Sequence, residues 1–206
     1  MESKGSGVMF SIDTETGFRD AVLLTAAYGL GENVVQGAVN PDEYLIFKPT
    51  LEQGFAPIVG KRLGSKAIRM VYADEGHGSA GDPSHPGASA TCHIAVPEAE
   101  RGRFALSDDE ALQLARWACT IERHYSARRG QPTPMDIEWA KDGESGELFI
   151  LQARPETVES RRSGSVLRSW HLEAGPGGGG AEVLCRGRAI GASVSSGRAR
   201  IIADPS

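Results

Sequence analysis

Two short runs, Asp136-Ile137-Glu138-Trp139 and Leu151-Gln152-Ala153-Arg154-Pro155, constrain this chain more than any other feature. Each alternates polar and apolar residues, the period of a β-strand with one buried face. Residues 135–140 and 148–153 are therefore read as the two strands of a hairpin, 141–147 as its turn region, and Pro155 as its end. Side chains alternate along a strand, so Asp136 and Glu138 share one face while Ile137 and Trp139 share the other. Gln152 and Arg154 likewise share a face on the return strand.

If the acidic and the Gln/Arg faces coincide, two carboxylates, an amide and a guanidinium stand on one surface. That set suits a metal nucleotide. Carboxylate and amide oxygens are hard ligands for Mg²⁺, which also takes phosphate oxygens. Arg154 offers a planar fork to a phosphate. Phosphoryl transfer asks mainly for positioning and charge neutralisation, which these groups supply. The same spacing is also met by a solvated hairpin face with an Arg–Glu surface pair that contributes little to stability.

The rest of the chain reads as α+β. Strands are expected at 7–11, 21–26, 43–48 and 66–72, with turn chemistry at Asp13-Thr14-Glu15-Thr16-Gly17. A glycine-flanked loop, 28–37, leads into a short turn or helix. Residues 74–103 are rich in Gly, Ser, Pro, His and Ala and read as a long surface loop. The clearest helix covers 108–125, with Ser107 and Glu110 as a capping box and Leu114, Ala118, Ile121 and Tyr125 as its buried stripe. The boundaries are then 1–159 for a first domain, 160–184 for a linker rich in glycine, and 185–206 for the start of a second β domain. A first strand almost at residue one, and an end soon after residue 185, suggest missing partners on both sides.

With 206 residues there is room for one good core, or a domain plus a fragment, and a net charge of −5 gives no reason to expect nucleic acid. The three cysteines, Cys92, Cys119 and Cys185, form no CxxC pair, so a zinc framework is not implied and reduced thiols are expected. No signal peptide and no run of about 20 apolar residues is present. A soluble, cytoplasmic protein without membrane contacts is the expectation.

The hairpin, extended as Met135-Asp136-Ile137-Glu138-Trp139-Ala140 and Phe149-Ile150-Leu151-Gln152-Ala153-Arg154-Pro155-Glu156-Thr157, resembles the end of the ATP-grasp domain of phosphoenolpyruvate synthases and their dikinase relatives. Gly7-Val8-Met9-Phe10-Ser11, Asp13-Thr14-Glu15-Thr16-Gly17 and the stretch from Tyr28-Gly29-Leu30-Gly31-Glu32 through Asn40-Pro41-Asp42 resemble the same family in the same order. Gly64-Ser65-Lys66 and Met70-Val71-Tyr72 resemble the synthase subgroup in particular. The likeness covers roughly residues 6–158 and resumes at Gly187-Arg188-Ala189-Ile190-Gly191.

The resemblance implies the C-terminal subdomain of an ATP-grasp fold, a mixed or antiparallel sheet with helices, followed by a linker and a truncated β segment. It implies ATP and Mg²⁺, with Glu138 and Gln152 on the metal, Asp136 beside them, Arg154 on the phosphates and Glu32 as a further nucleotide or metal contact. An acid at Glu32 is also what a helix N-terminus favours by itself. The family converts ATP, pyruvate and water to phosphoenolpyruvate, AMP and phosphate through a phosphohistidine on a swivelling domain. That histidine would lie beyond residue 206, the opposing ATP-grasp lobe upstream, and the pyruvate-binding barrel elsewhere. No catalytic residue is therefore expected in this chain, and the chain alone is expected to be inactive.

Thr91-Cys92-His93-Ile94-Ala95 resembles the motif that carries the phosphohistidine. It precedes the hairpin instead of following it, Ala88-Ser89-Ala90 replaces the paired glycines, and it falls in the Pro/Ser-rich loop, so it is read as a decoy. His77, His85, His124 and His171 are read as solvent-facing or local hydrogen-bond partners. Lys61, Arg62, Lys66 and Arg69 are read as a basic cluster on a solvated strand edge. Two other functions fit the same residues: the ATP-grasp part of a rifampin-type antibiotic phosphotransferase, and a non-catalytic fragment that binds nucleotide weakly or docks to other domains.

Overall fold

The computed structural model describes residues 3–55, 57–72, 91–157 and 197–198. The expected linker, the β pattern after it, Cys185, His77, His85 and His171 lie outside these residues, as does the resumed likeness at 187–191. The elements run β1 (Ser3–Phe10), β2 (Ala21–Tyr28), α1 (Glu32–Val35), β3 (Asp42–Phe47), α2 (Lys48–Glu52), β4 (Ile58–Arg62), β5 (Ile68–Tyr72), β6 (Thr91–Ala95), α3 (Glu98–Arg101), α4 (Asp108–Arg129), β7 (Met135–Asp142) and β8 (Leu148–Pro155). Six strands form one sheet in the order β4-β3-β2-β1-β7-β8, and β5 and β6 form a two-stranded ladder. Every strand pair among the described residues is antiparallel, which settles the expected mixed or antiparallel sheet as antiparallel there. The parallel contact is a single bridge, Gly29 to Met70, that ties the ladder to the end of β2.

The alternating sequence explains the layering. Met9, Val22, Leu24, Tyr44, Ile46, Met135, Ile137 and Trp139 project to one face of the sheet and are at most 1% exposed. Helix α4 covers that face with Ala111, Leu114, Ala115, Ala118 and Cys119. Three alanines in this stripe let the helix settle close to the strands, and burying the large strand residues supplies the main driving force. Ile121 and Tyr125, expected in the stripe, pack at its partly buried margin. At Gly7, an added Cβ would stand 1.9 Å from the Thr25 carbonyl oxygen and 3.0 Å from the Trp139 ring. Only glycine leaves room there for the indole to lie against β1.

The Ser107–Glu110 capping box forms as expected. The helix runs four residues past the expected Tyr125 and ends at Arg129, where Gly130 takes the left-handed C-cap conformation (φ 65°).

Several expectations need correction. Lys48 does not end a strand. It opens the short helix α2, whose first turn holds Pro49, a residue suited to that position. The expected long loop contains a strand and a helix: Thr91-Cys92-His93-Ile94-Ala95 is β6, paired to β5, and Glu98–Arg101 is α3. His93 therefore lies on a strand, so the loop argument against it fails. The basic cluster is only in part a solvated edge. Lys61 and Arg62 do sit on edge strand β4, ion-paired with Asp108 and Glu43. Lys66 is wholly buried against Asp42, and Arg69 lies beside Glu100 on β5.

Candidate functional site

The β7–β8 register decides whether the hairpin carries a site. Asp136 stands opposite Arg154, and Glu138 opposite Gln152. The acidic face and the Gln/Arg face therefore coincide. Strict alternation would also put Ile150 on that face. A register shift between Glu138 and Trp139 prevents this: Ile150 pairs with Trp139 and joins the core, and Leu151 is left 62% exposed without a cross-strand partner. The bulge thus sends Leu148 and Ile150 to the core on one side and Ala153 on the other, while Phe149 and Leu151 stay exposed. No signal in the sequence reading located it.

The two cross-strand pairs behave differently. Arg154 places both Nε and a terminal nitrogen 2.8 Å from one Asp136 oxygen. This hydrogen bond, with the Asp136 charge behind it, raises the guanidinium pKa further, so Arg154 stays cationic. Glu138 and Gln152 make no side-chain hydrogen bond to a described residue, which leaves their oxygens available. Among the described residues no group of three or more His, Cys, Asp or Glu side chains could cage a metal ion. Two oxygen donors on one face match instead the way Mg²⁺ is held, by one or two protein ligands together with substrate phosphates.

The site is held from below. Met135, Ile137 and Trp139 anchor β7 in the core, between the polar positions. Ser11 brackets Met135: its Oγ accepts the Met135 N–H at 2.8 Å, and its own N–H donates to the Met135 carbonyl at 2.9 Å. Farther along β7, Lys141 donates to Glu110, the capping acid of α4. Burial pushes the Glu110 carboxyl up, but hydrogen bonds from Lys141 and Ser107 outweigh it and leave the pKa below the ordinary value. The sequence reading gave Glu110 its cap and missed this second task, the tie between helix and hairpin.

Glu32 opens α1, which packs on β1. The position a Gly31 Cβ would take lies 3.6 Å from the Ser6 side chain. Ser6 and Val8 share a face of β1, and Val8 pairs with Glu138, so α1 stands on the carboxylate side of the sheet. Glu32 itself is exposed and accepts from Gln36 Nε2 at 2.8 Å, rather than meeting any of the four hairpin residues. Its neighbour Asn33 is fully buried, with Oδ1 2.7 Å from His93 Nε2. That contact joins α1 to β6, and no signal in the sequence pointed to it.

Comparison with known proteins identifies the family of the chain. Residues 1–169 match the family described as pyruvate phosphate dikinase, AMP/ATP-binding domain. The chain is 59% identical over 197 residues to a protein named phosphoenolpyruvate synthase from Synechocystis sp., covering 96% of the chain and 22% of the relative. A Helicobacter pylori protein of the same name is 52% identical over 205 residues, covering 98% of the chain and 24% of the relative. The Escherichia coli protein of that name is 46% identical over 199 residues, covering 97% of the chain and 22% of the relative. The chain thus spans under a quarter of the length of these relatives. No helix among the described residues is long and apolar enough to cross a membrane. With residues 1–169 matched out of 206, the chain belongs to the pyruvate phosphate dikinase AMP/ATP-binding domain family.

Proposed function

We propose that the open face of the β7–β8 hairpin holds the phosphates of ATP and their Mg²⁺ ion, and that the chain serves the nucleotide half of a phosphoenolpyruvate synthase reaction. The observation that carries this reading is the register, which sets Glu138 against Gln152 and Asp136 against Arg154 on one face. Glu138 and Gln152 supply the metal oxygens. Asp136 orients the Arg154 fork, whose remaining N–H groups face phosphate, and Glu32 borders the same face from α1. When bound, the ion neutralises phosphate charge and helps to fix the geometry for transfer. The chain's own residues align the nucleotide and supply charge, which is most of what phosphoryl transfer requires.

In this proposal the fold is the C-terminal ATP-grasp subdomain, and 185–206 opens the phosphohistidine domain. The full reaction, from ATP, pyruvate and water to phosphoenolpyruvate, AMP and phosphate, needs an opposing lobe, a phosphohistidine and a pyruvate site from the rest of a longer enzyme. The relatives cited above carry the synthase name, which favours this reading over an antibiotic phosphotransferase.

The test is Glu138→Gln, which removes a charge and keeps the shape. In the presence of Mg²⁺, nucleotide binding followed by calorimetry should weaken by about 1.5–3 kcal/mol, the range for a charge-assisted contact. Without metal the loss should be much smaller, or reversed, because a negative charge beside phosphate has gone. Equal weakening in both conditions would show that Glu138 supports the hairpin instead of the metal.

A further inference from the structure

The ladder β5–β6 meets the main sheet at a corner, through the Gly29–Met70 bridge and a 2.9 Å hydrogen bond from the Leu30 N–H to the Met70 carbonyl. Beneath this junction lies a cavity of about 530 Å³. Tyr28, Leu30, Met70 and Ile94 give it apolar walls, and Arg69 and Lys4 bring cations to it. Its volume falls among those of small-molecule sites, which combine apolar walls with a few placed polar groups.

Arg69 is the informative residue. Its side chain is 34% exposed, and its one ionic partner among the described residues is Glu100, at 3.6 Å, beyond hydrogen-bond length. Among the described residues its Nε is buried with no hydrogen-bond partner. A guanidinium carries five N–H donors in a planar fork that matches an oxyanion. A half-buried one that makes no hydrogen bond to a described residue holds binding capacity in reserve, and buried donors are ordinarily satisfied. The hairpin face does not use it. Ser3, at the cavity, lies five residues along β1 from Val8, the partner of Glu138, a separation of roughly 16 Å at the usual rise per strand residue.

We propose that this corner is a second ligand site, distinct from the hairpin face, for a small molecule that joins an oxyanion to an apolar body. The oxyanion sits on Arg69, with Lys4 adding charge, and the apolar part lies against Tyr28, Leu30 and Ile94. A phosphate ester and a carboxylate share this chemistry. Glu100 competes with the ligand for Arg69, so occupancy displaces a weak ion pair instead of breaking a strong one.

The test uses two probes, phenyl phosphate and benzoate, titrated into the chain without Mg²⁺ and followed by backbone amide NMR shifts. At least one should bind with shifts centred on Leu30, Arg69 and Ile94, and the tighter of the two identifies the anion class. Arg69→Gln should weaken that probe at least tenfold, Glu100→Gln should tighten it several-fold, and Glu138→Gln should leave it unchanged. The proposal is overturned if neither probe binds, if the shifts centre on Glu138 and Gln152, or if Arg69→Gln binds as well as the parent. Should Arg69→Gln fail to fold, Ser3→Trp, which puts an indole in the cavity lining and keeps the guanidinium, decides: binding must fall at least tenfold, and retained binding overturns the proposal.

Discussion

Two aspartate–cation pairs in this molecule use the same chemistry in opposite surroundings. Asp42 and Lys66, at the start of β3 and in the segment after β4, are both 0% exposed. Asp136 and Arg154, facing each other on the hairpin, are 12% and 60% exposed. The buried pair is closed in by further hydrogen bonds. Asp42 accepts from Lys66, from the Gly64 N–H at 2.9 Å and from the Ala105 N–H at 2.7 Å, and Lys66 also donates to the Gly64 carbonyl at 3.1 Å. It holds three chain segments together and, wholly buried, is closed to a ligand. The hairpin pair leaves most of its guanidinium open to solvent. The buried pair spends its hydrogen bonds inside, whereas the hairpin pair keeps some in reserve, as the proposed nucleotide role requires.

The sharpest way to break this comparison is to remove one half of the buried pair. Lys66→Met leaves the Asp42 charge buried with only two backbone donors. It should destabilise the fold by about 3–5 kcal/mol, read from urea unfolding, as expected for an uncompensated buried charge. Lys66 also holds a left-handed backbone angle (φ 39°), rare for a residue with a side chain, so loss of its anchor should release the local conformation as well. Adding Asp42→Asn to Lys66→Met should recover much of the loss. If the single variant costs under 1 kcal/mol, the buried pair does not hold these three segments together.

A contact of intermediate burial should have an intermediate effect. Glu110, through Ser107 and Lys141, ties the start of α4 to β7. Glu110→Gln should cost about 1 kcal/mol near neutral pH, a cap or ion-pair contribution. The sign of the pH dependence follows from its lowered pKa. A carboxyl depressed on folding adds stability that is complete above the unfolded value of about 4.3 and disappears as pH falls through the folded value. The parent should therefore lose stability into acid faster than Glu110→Gln, and parallel pH profiles would remove Glu110 from this role.

How much of this was legible in the sequence differs between the two pairs for a physical reason. The Asp136/Glu138 face and the Gln152/Arg154 face each follow from the two-residue period of a strand, whereas their coincidence is decided by the register. Ser107 and Glu110 announce a helix start through chemistry three residues apart. The Asp42–Lys66 pair joins residues 24 positions apart through a segment of irregular backbone, and no local pattern reports that two charges meet there. Lys66 consequently looked like one of four solvated cations. Strand β6 was hidden for a similar reason: its pairing with β5 is set across residues 73–90, and the surrounding Gly, Ser and Pro composition masked its alternation. The bulge at Leu151 depends on which residues the core accepts, which only the packed sheet decides.

The smallest expected effect on stability belongs to the pair with the largest expected role in binding. Arg154 is 60% exposed, so its attraction to Asp136 is screened by water, and fixing a long side chain costs entropy. Asp136→Asn should therefore change unfolding stability by no more than about 1 kcal/mol, the range for exposed pairs. It keeps the size of the side chain and loses the charge that aligns the guanidinium, so Arg154 becomes free to rotate. If Asp136 acts by orienting Arg154, Asp136→Asn should weaken Mg²⁺-nucleotide binding, and Arg154→Lys should weaken it too, since an ammonium keeps the charge but not the fork. The double variant should then be little worse than Arg154→Lys alone, because both changes remove one aligned fork. Additive losses would mean that Asp136 contributes separately from Arg154. A stability loss for Asp136→Asn as large as that for Lys66→Met would erase the distinction between a pair that holds the fold and a pair held in reserve for a ligand.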